Sequence, residues 1–430
     1  MRRLEDHFRD ALGPADGANG AVTAEREHGR PPLRHGRFRG LPLWYHDGVP
    51  SGPSSDAGEP FDPDDAIACV QFEHYVDGGA ETGGEDHRLK QLYYLLKPLM
   101  PRPLQLGLQR VNARRRLQSV EFPAWPEDAT LTRLLGALMA ERMRAADVDS
   151  VPFVGFWPHG STWAWCLTHD VETEAGQVQL ESMAAVEEAH GVRSSWNFVP
   201  ERYPVDRGRM EALRDRGHEI GVHGLQHSGK LFSSRSEFEW RCRKINGYVQ
   251  EWGAAGFRSP ATYRNPFWLP EIDVDYDSSF MDNATLEPQR GGVCSAYPYM
   301  LSERMVELPI TLPMDHTLIN ILRTDVVPAF ASKREWIRRQ SGLAVALFHP
   351  DYNTSREAIG RYGAVIDDLQ DTPGGWYALP REIAAWWQRR RASRVVVTDG
   401  TPAIDGPAAA DGSIWWAHRE DDTIRIEPSA

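Results

Sequence analysis

The sequence predicts an α/β protein built on a parallel sheet, either a barrel or a doubly wound sheet. Two observations predict it. From Trp163 to Arg391, short apolar runs alternate with amphipathic helical stretches, giving seven or eight strands. The first of these runs, Trp163-Ala-Trp-Cys-Leu-Thr-His-Asp-Val-Glu172, reads as a buried strand that stops on two carboxylates, Asp170 and Glu172. Residues i and i+2 of an extended chain point to one side. Both carboxylates can therefore face one cavity at the strand's end, where parallel α/β architectures keep their chemistry.

Composition narrows the function classes. A chain of 430 residues can hold one large domain with appendages, or two to three smaller ones. Its net charge of −13 argues against a general nucleic-acid binder, which carries a basic surface. No run approaches the roughly 18 apolar residues of a transmembrane segment. The start, Met1-Arg-Arg-Leu-Glu-Asp-His-Phe, lacks the apolar core of a secretory signal. Cys69, Cys166, Cys242 and Cys294 are far apart and form no CxxC pair, so they read as reduced thiols rather than a disulfide framework. The expected location is the cytoplasm.

In chain order, residues 1–60 are a low-order segment rich in Gly, Pro, Asp and Arg, with linker-like Ala15-Asp-Gly-Ala-Asn-Gly and Ser51-Gly-Pro-Ser-Ser-Asp. Leu41-Pro-Leu-Trp-Tyr is its one apolar knot, a candidate edge strand. Residues 61–160 form an N-terminal helical extension. Leu92, Leu95, Leu96 and Leu99 stand at helical spacing until Pro101 and Pro103 interrupt, and a basic helix follows from Leu104 to Arg116. Leu131, Leu134, Leu135 and Leu138 mark another helix, with Asp128 or Thr130 as its cap. Arg110, Arg114, Arg115 and Arg116 read as a solvated face, with a phosphate or lipid-surface patch as the alternative.

Residues 161–393 carry the alternating pattern. Strands are expected at Arg193–Phe198, His218–His223, Gly256–Arg258, Asp275–Ser278, Val306–Ile310, Leu343–Phe348 and around Trp376. Gly217 should close a short helix that begins at Arg209. Ser234 with Glu237, Ser332 with Glu335, and Thr354 with Glu357 read as capping boxes that open helices. A last helix runs through Trp386 and Trp387. Residues 394–430 hold three strand-like runs between Asp/Gly turns, a small β appendage.

The chemistry gathers at the strand ends. His223-Gly-Leu-Gln-His227 places two histidines four residues apart, able to reach one metal. The flanking glycines favour a tight loop over a helix, and the missing Glu excludes the HExxH protease arrangement. A carboxylate, Glu172 or Asp170, is the expected third ligand. The other carboxylate would serve as general base. His349 ends another strand and suits a general acid, against the plainer reading of a core histidine. Arg258 could hold the base carboxylate by a bidentate pair.

In order, Thr168–Glu172, His223–His227, Arg258–Pro260, Tyr276–Ser279 and Leu347–His349 resemble the motifs of the NodB-homology polysaccharide deacetylases, carbohydrate esterase family 4. The resemblance covers roughly residues 160–390. It implies a distorted (β/α) barrel of seven or eight units with a divalent metal, usually zinc. By position it implies Asp170 as base, His349 as acid and Arg258 as the group orienting Asp170. His223 and His227 become metal ligands. The usual metal carboxylate falls at Val171, so Asp170-Val-Glu172 is similar to an Asp-x-Glu variant, with Glu172 on the metal. After Pro260 an aromatic is usual. Here Ala261 can offer a backbone N–H to an oxyanion, while Tyr263 or Trp268 could supply the aromatic wall for a sugar.

The implied activity is metal-dependent removal of N-acetyl or other N-acyl groups from an amino sugar of a glycan or glycan precursor. Two alternatives stand beside it. One is an O-acetyl esterase or small cyclic-amide hydrolase on the same site. The other is a non-catalytic member that binds a glycan or a partner.

Overall fold

A computed structural model describes residues 33–46, 53–77 and 100–428. The helix expected through Leu92–Leu99 lies outside these residues. Strand β4, Trp163–Val171, is the hub, and every one of its residues is buried. Its Trp, Cys, Leu and Val side chains are covered on both faces, as a strand in a helix-wrapped parallel sheet requires.

The other sheet strands are β5 (Ser195–Phe198), β6 (Glu219–His223), β7 (Gly256–Arg258), β8 (Tyr276–Asp277), β9 (Tyr299–Met300), β10 (Val306–Glu307), β11 (Leu343–Phe348) and β12 (Gly375–Tyr377). Their order is β11-β4-β5-β6-β7-β8-β10-β9, with β12 also on β4. All pairings are parallel except β10 with β9. One edge of β4 is split, with β12 alongside Trp163–Trp165 and β5 alongside Thr168–Val171. The ring closes beyond β10. The Leu312 amide donates to the Val345 carbonyl at 3.2 Å. The Thr311 hydroxyl donates to Leu343 O at 2.7 Å and accepts the Val345 amide at 2.9 Å. A side chain thus replaces part of a strand ladder, and the barrel is distorted there.

Local signals explain most helices around the ring. Thr173 caps α5 (Glu174–Ala189) through the Gly176 amide, and Ser234 caps α7 (Arg235–Trp252) through the Glu237 amide at 3.2 Å. Helix α6 (Arg207–Asp215) ends before Gly217, whose φ of 92° only glycine adopts readily. Two boxes are misplaced. Asp325 caps α8 (Val326–Arg339) at the Val327 amide, leaving Ser332 and Glu335 in mid-helix, where Glu335 pairs with Arg338 at 2.8 Å. Ser355, not Thr354, caps α9 (Arg356–Asp371) at the Ala358 amide. Both misplacements have one cause, because a box motif recurs by chance wherever Ser or Thr precedes Glu. Helix α10 (Pro380–Arg391) carries the two buried tryptophans, Trp386 and Trp387.

The N-terminal part packs as its own layer on the ring. Strands β1 (Leu33–Phe38) and β2 (Leu41–His46) form an antiparallel hairpin over α1 (Pro63–Gln71) and α2 (His74–Asp77). Phe38, Leu43, Tyr45, Ile67, Val70 and Leu134 share one core there. Helix α4 (Thr130–Ala145) is entered through Asp128, which accepts the Thr130 amide at 2.8 Å while Thr130 itself lies inside the helix. On α3 (Arg102–Ser119), Arg110 and Arg116 donate to the Asn320 and Glu287 carbonyls at 3.0 and 2.8 Å, so only part of the arginine run faces solvent. At the other end, β15 (Ile414–Glu420) pairs with β16 (Thr423–Pro428) and with β3 (Ser150–Val154). The expected run at Val395–Thr398 is β13 (Arg394–Thr398), and its hairpin partner β14 (Thr401–Asp405) was not apparent from the apolar runs.

Candidate metal and catalytic site

Three strand ends deliver the predicted residues to one place. Asp170 and Glu172 come from the end of β4, His223 from the last position of β6, and His349 follows β11. His227 sits in the loop after β6 with φ of 53°. The loop can turn so tightly because Gly224 has φ of 62° and lies so near Pro260 that a Cβ there would stand 2.5 Å from the proline ring.

Glu172, His223 and His227 offer one ligand atom each, all within 4.8 Å of one another. The His223 Nδ1–H donates to the Arg258 carbonyl at 3.0 Å, which leaves Nε2 with its lone pair. Both Nε2 atoms, of His223 and His227, are buried; that of His223 makes no hydrogen bond, and that of His227 faces the Glu172 carboxylate. Burying the His223 nitrogen without a partner costs free energy. Two imidazoles and a carboxylate aimed at one point relieve that cost by binding a cation, and they are the donor set of an open, catalytic zinc-type centre. Glu172 Oε1 is 2.9 Å from His227 Nε2. Burial works against the Glu172 charge, yet His227, His349 and His223 outweigh it and hold the carboxyl far below its ordinary pKa. Burial also lowers His223 to about 4, so its ring is neutral and free to ligate at physiological pH. The residues therefore fit a divalent metal.

Asp170 stands beside this triad with Oδ2 3.7 Å from His223 Nε2. Its Oδ1 accepts from Asn197 at 3.0 Å and from Arg258 at 3.3 Å. Burial opposes its charge, but His223, Arg258 and His349 prevail and keep it ionised below the usual carboxylate range. The bidentate Arg258–Asp170 pair expected from the sequence does not form. Arg258 gives one N–H to Asp170 and the rest to Thr168 Oγ1 (2.8 Å), Ser278 O (2.8 Å) and Ser278 Oγ (2.7 Å). It ties three strand ends together and touches Asp170 with one contact.

His349 Nδ1 lies 2.7 Å from Asp315 Oδ1, and Asp315 Oδ2 accepts the His349 amide at 2.9 Å. Desolvation alone would discharge the imidazolium, but Asp315, Glu172 and Asp170 raise its pKa to about 10. Its Nε2, 3.8 Å from Glu172 Oε1, carries the proton toward the centre.

The substrate-side residues divide. Ala261 adopts φ of 55° directly after the Arg258-Ser-Pro260 turn, with Tyr263 just beyond it. Tyr263 borders the histidine loop, since a Cβ on Gly229 would lie 3.2 Å from its ring. Trp268 does not join them. Its ring packs 5.5 Å from Phe238 and 6.4 Å from Phe232, with Arg235 over its face at 5.7 Å. An amphipathic helix face outcompeted the cavity for that indole.

Sequence reasoning missed Asn197, Asp315 and Asp351. Asn197 was visible as a polar residue inside the apolar run Trp196-Asn-Phe198. Asp351, which accepts the Glu172 amide at 3.1 Å and bonds the Thr173 hydroxyl, lay two residues past His349. Asp315 offered no periodic signal.

No protein-family model matches the sequence, and no curated protein is detectably similar to it. Solved structures do resemble it. A protein assigned as a polysaccharide deacetylase from Mycobacterium smegmatis is 18% identical, covers 53% of this chain and 91% of its own, and superposes with a TM-score of 0.43. The allantoinase Puue is 12% identical over 54% of this chain and 93% of its own, with a TM-score of 0.44. A family 4 carbohydrate esterase from Streptomyces lividans, solved with acetate, is 13% identical over 51% and 93%, with a TM-score of 0.33. The chemistry is read from the side chains themselves. Among the described residues, no helix is long and apolar enough to cross a membrane.

Proposed function

We propose that this chain is a metal-dependent hydrolase that removes an N-acyl group, N-acetyl first, from an amino sugar of a glycan or glycan precursor. The observation that carries the reading is the convergence of Glu172, His223 and His227 on one point, with the His223 Nε2 buried and without a hydrogen bond. The ordered motif resemblance supplies the substrate class. A divalent ion, zinc for preference, bound by these three residues would supply Lewis acidity and a more acidic water.

The chain's own groups carry the protons. Asp170, ionised and fixed by Asn197 and Arg258, takes the proton of the attacking water. The water oxygen bonds to the acyl carbon. As the carbon–nitrogen bond breaks, His349 gives its Nε2 proton to the departing amine, and acetate leaves. Asp315 keeps His349 charged and fixes its ring for that transfer. The Ala261 amide, held by the turn at Pro260, is the candidate donor to the developing oxyanion.

The test is metal content by mass spectrometry on wild type, Glu172→Ala and His227→Ala, followed by acetate release from N- and O-acetylated amino sugars. About one equivalent of this metal, lost in both variants, with acetate released from the amide is the expected result. A site that takes up no zinc on incubation defeats the hydrolase reading and favours glycan binding. Release from O-acetyl sugars alone moves the activity to an esterase.

A further inference from the structure

The N-terminal layer holds a second set of metal-type donors that the proposed reaction does not use. His46 ends β2, Asp65 and Cys69 stand one turn apart on α1, and His74 opens α2. Single ligand atoms of His46, Cys69 and His74 all lie within 4.8 Å of one another. Cys69 Sγ is 3.6 Å from His46 Nδ1. That matches the edge of a tetrahedron with bonds of about 2.0–2.3 Å, which is about 3.3–3.8 Å long. Asp65 stands against two of them, with Oδ1 3.0 Å from His46 Nδ1 and Oδ2 3.9 Å from the Cys69 sulfur. Its Oδ2 also accepts the His46 amide at 2.7 Å, which fixes the carboxylate where it stands. Three elements separated in sequence therefore bring thiol, imidazole and carboxylate together, the mixture that soft divalent zinc takes.

We propose that His46, Cys69 and His74, with Asp65 held against His46, form a second, structural zinc site that fastens the N-terminal layer to the loop carrying the candidate oxyanion donor. Its three donors are one thiolate and two imidazoles, ligand types that zinc takes. On binding, the Cys69 S–H bond gives its proton to solvent and a sulfur–metal bond replaces it. The link to the barrel runs through His74 and its neighbour. The His74 ring stacks on Phe267 at 5.8 Å and 26°. Glu73 makes a buried pair with Arg264, its Oε2 2.7 Å from Arg264 Nε. Both contacts fall on the segment that follows Ala261 and Tyr263, so metal occupancy and the shape of the substrate side are coupled.

Cobalt distinguishes this site from the first, because only this one contains a thiolate. Metal-depleted full-length chain titrated with Co²⁺ should develop a near-ultraviolet thiolate-to-cobalt charge-transfer band. The band should persist in His223→Ala/His227→Ala, where the first centre is disabled, and vanish in Cys69→Ser. His46→Gln and His74→Gln should each weaken cobalt binding by about 10- to 100-fold or more. Absence of the band in the wild type overturns the proposal without recourse to any variant. Its persistence in Cys69→Ser, with circular dichroism showing that variant folded, also overturns it, since another cysteine would then be the ligand.

Discussion

His349 keeps its proton at neutral pH chiefly because the Asp315 carboxylate lies behind its ring, with Glu172 and Asp170 adding to it. Asp315→Asn should therefore lower the His349 pKa, pull the alkaline limb of the kcat profile to lower pH, and reduce kcat by about 10- to 100-fold, within the range for general acids. Metal content should stay at the wild-type value, which separates positioning of the acid from collapse of the site. A different buried carboxyl governs stability. Desolvation raises Glu219 to about 7, although Tyr276 and the Arg381 amide bond to it. Unfolded, it titrates near ~4.3. Between these values the folded chain binds a proton that the unfolded chain lacks, so stability falls as pH rises through that window and is level above it. Glu219→Gln stays neutral throughout, and should flatten this slope by up to roughly 3 kcal/mol, read by urea unfolding at both ends of the window.

Strand pairing decides whether Asp170 is held. Asn197 on β5 lies opposite Gly221 on β6, and a Cβ at Gly221 would sit 2.0 Å from Asn197 Oδ1. Gly221→Ala should push Asn197 off Asp170, costing about 1–3 kcal/mol by overpacking. Acetate release should fall as well. Adding Asn197→Ala to that variant should restore most of the thermal stability and none of the activity. The strands themselves were legible, because runs such as Leu343-Ala-Val-Ala-Leu-Phe348 are apolar throughout. The sites at their ends were legible for the same reason: a buried run that stops on Asp, His or Arg announces a polar cavity. Asp315 was not, since it stands in an irregular segment that only the closure of the barrel brings under His349.

At the scale of the molecule, the N-terminal layer is locked to the barrel by the Glu73–Arg264 pair, both side chains almost fully buried. Arg264→Met strands the Glu73 charge and should cost about 3–5 kcal/mol. Arg264→Met/Glu73→Gln should recover part of that loss, because the stranded charge is removed. Urea unfolding of the full chain checks both. The same lock shapes the segment after Ala261, so the single variant should also raise KM for an amino-sugar substrate.

The sequence by itself determined the alternation of strand and helix, the strand ends that carry Asp170, Glu172, His223, Arg258 and His349, and the two-residue spacing that turns both carboxylates to one side. These follow from local periodicity, which acts over a few residues and leaves its mark in the order of the chain. Tertiary structure alone decided the single Arg258 contact on Asp170, the withdrawal of Trp268 into a helix face, the support from Asn197 and Asp315, and the meeting of His46, Asp65, Cys69 and His74. Each of these depends on the distance between groups far apart in sequence, and burial fixes that distance through packing and pairing that no short stretch of the chain encodes.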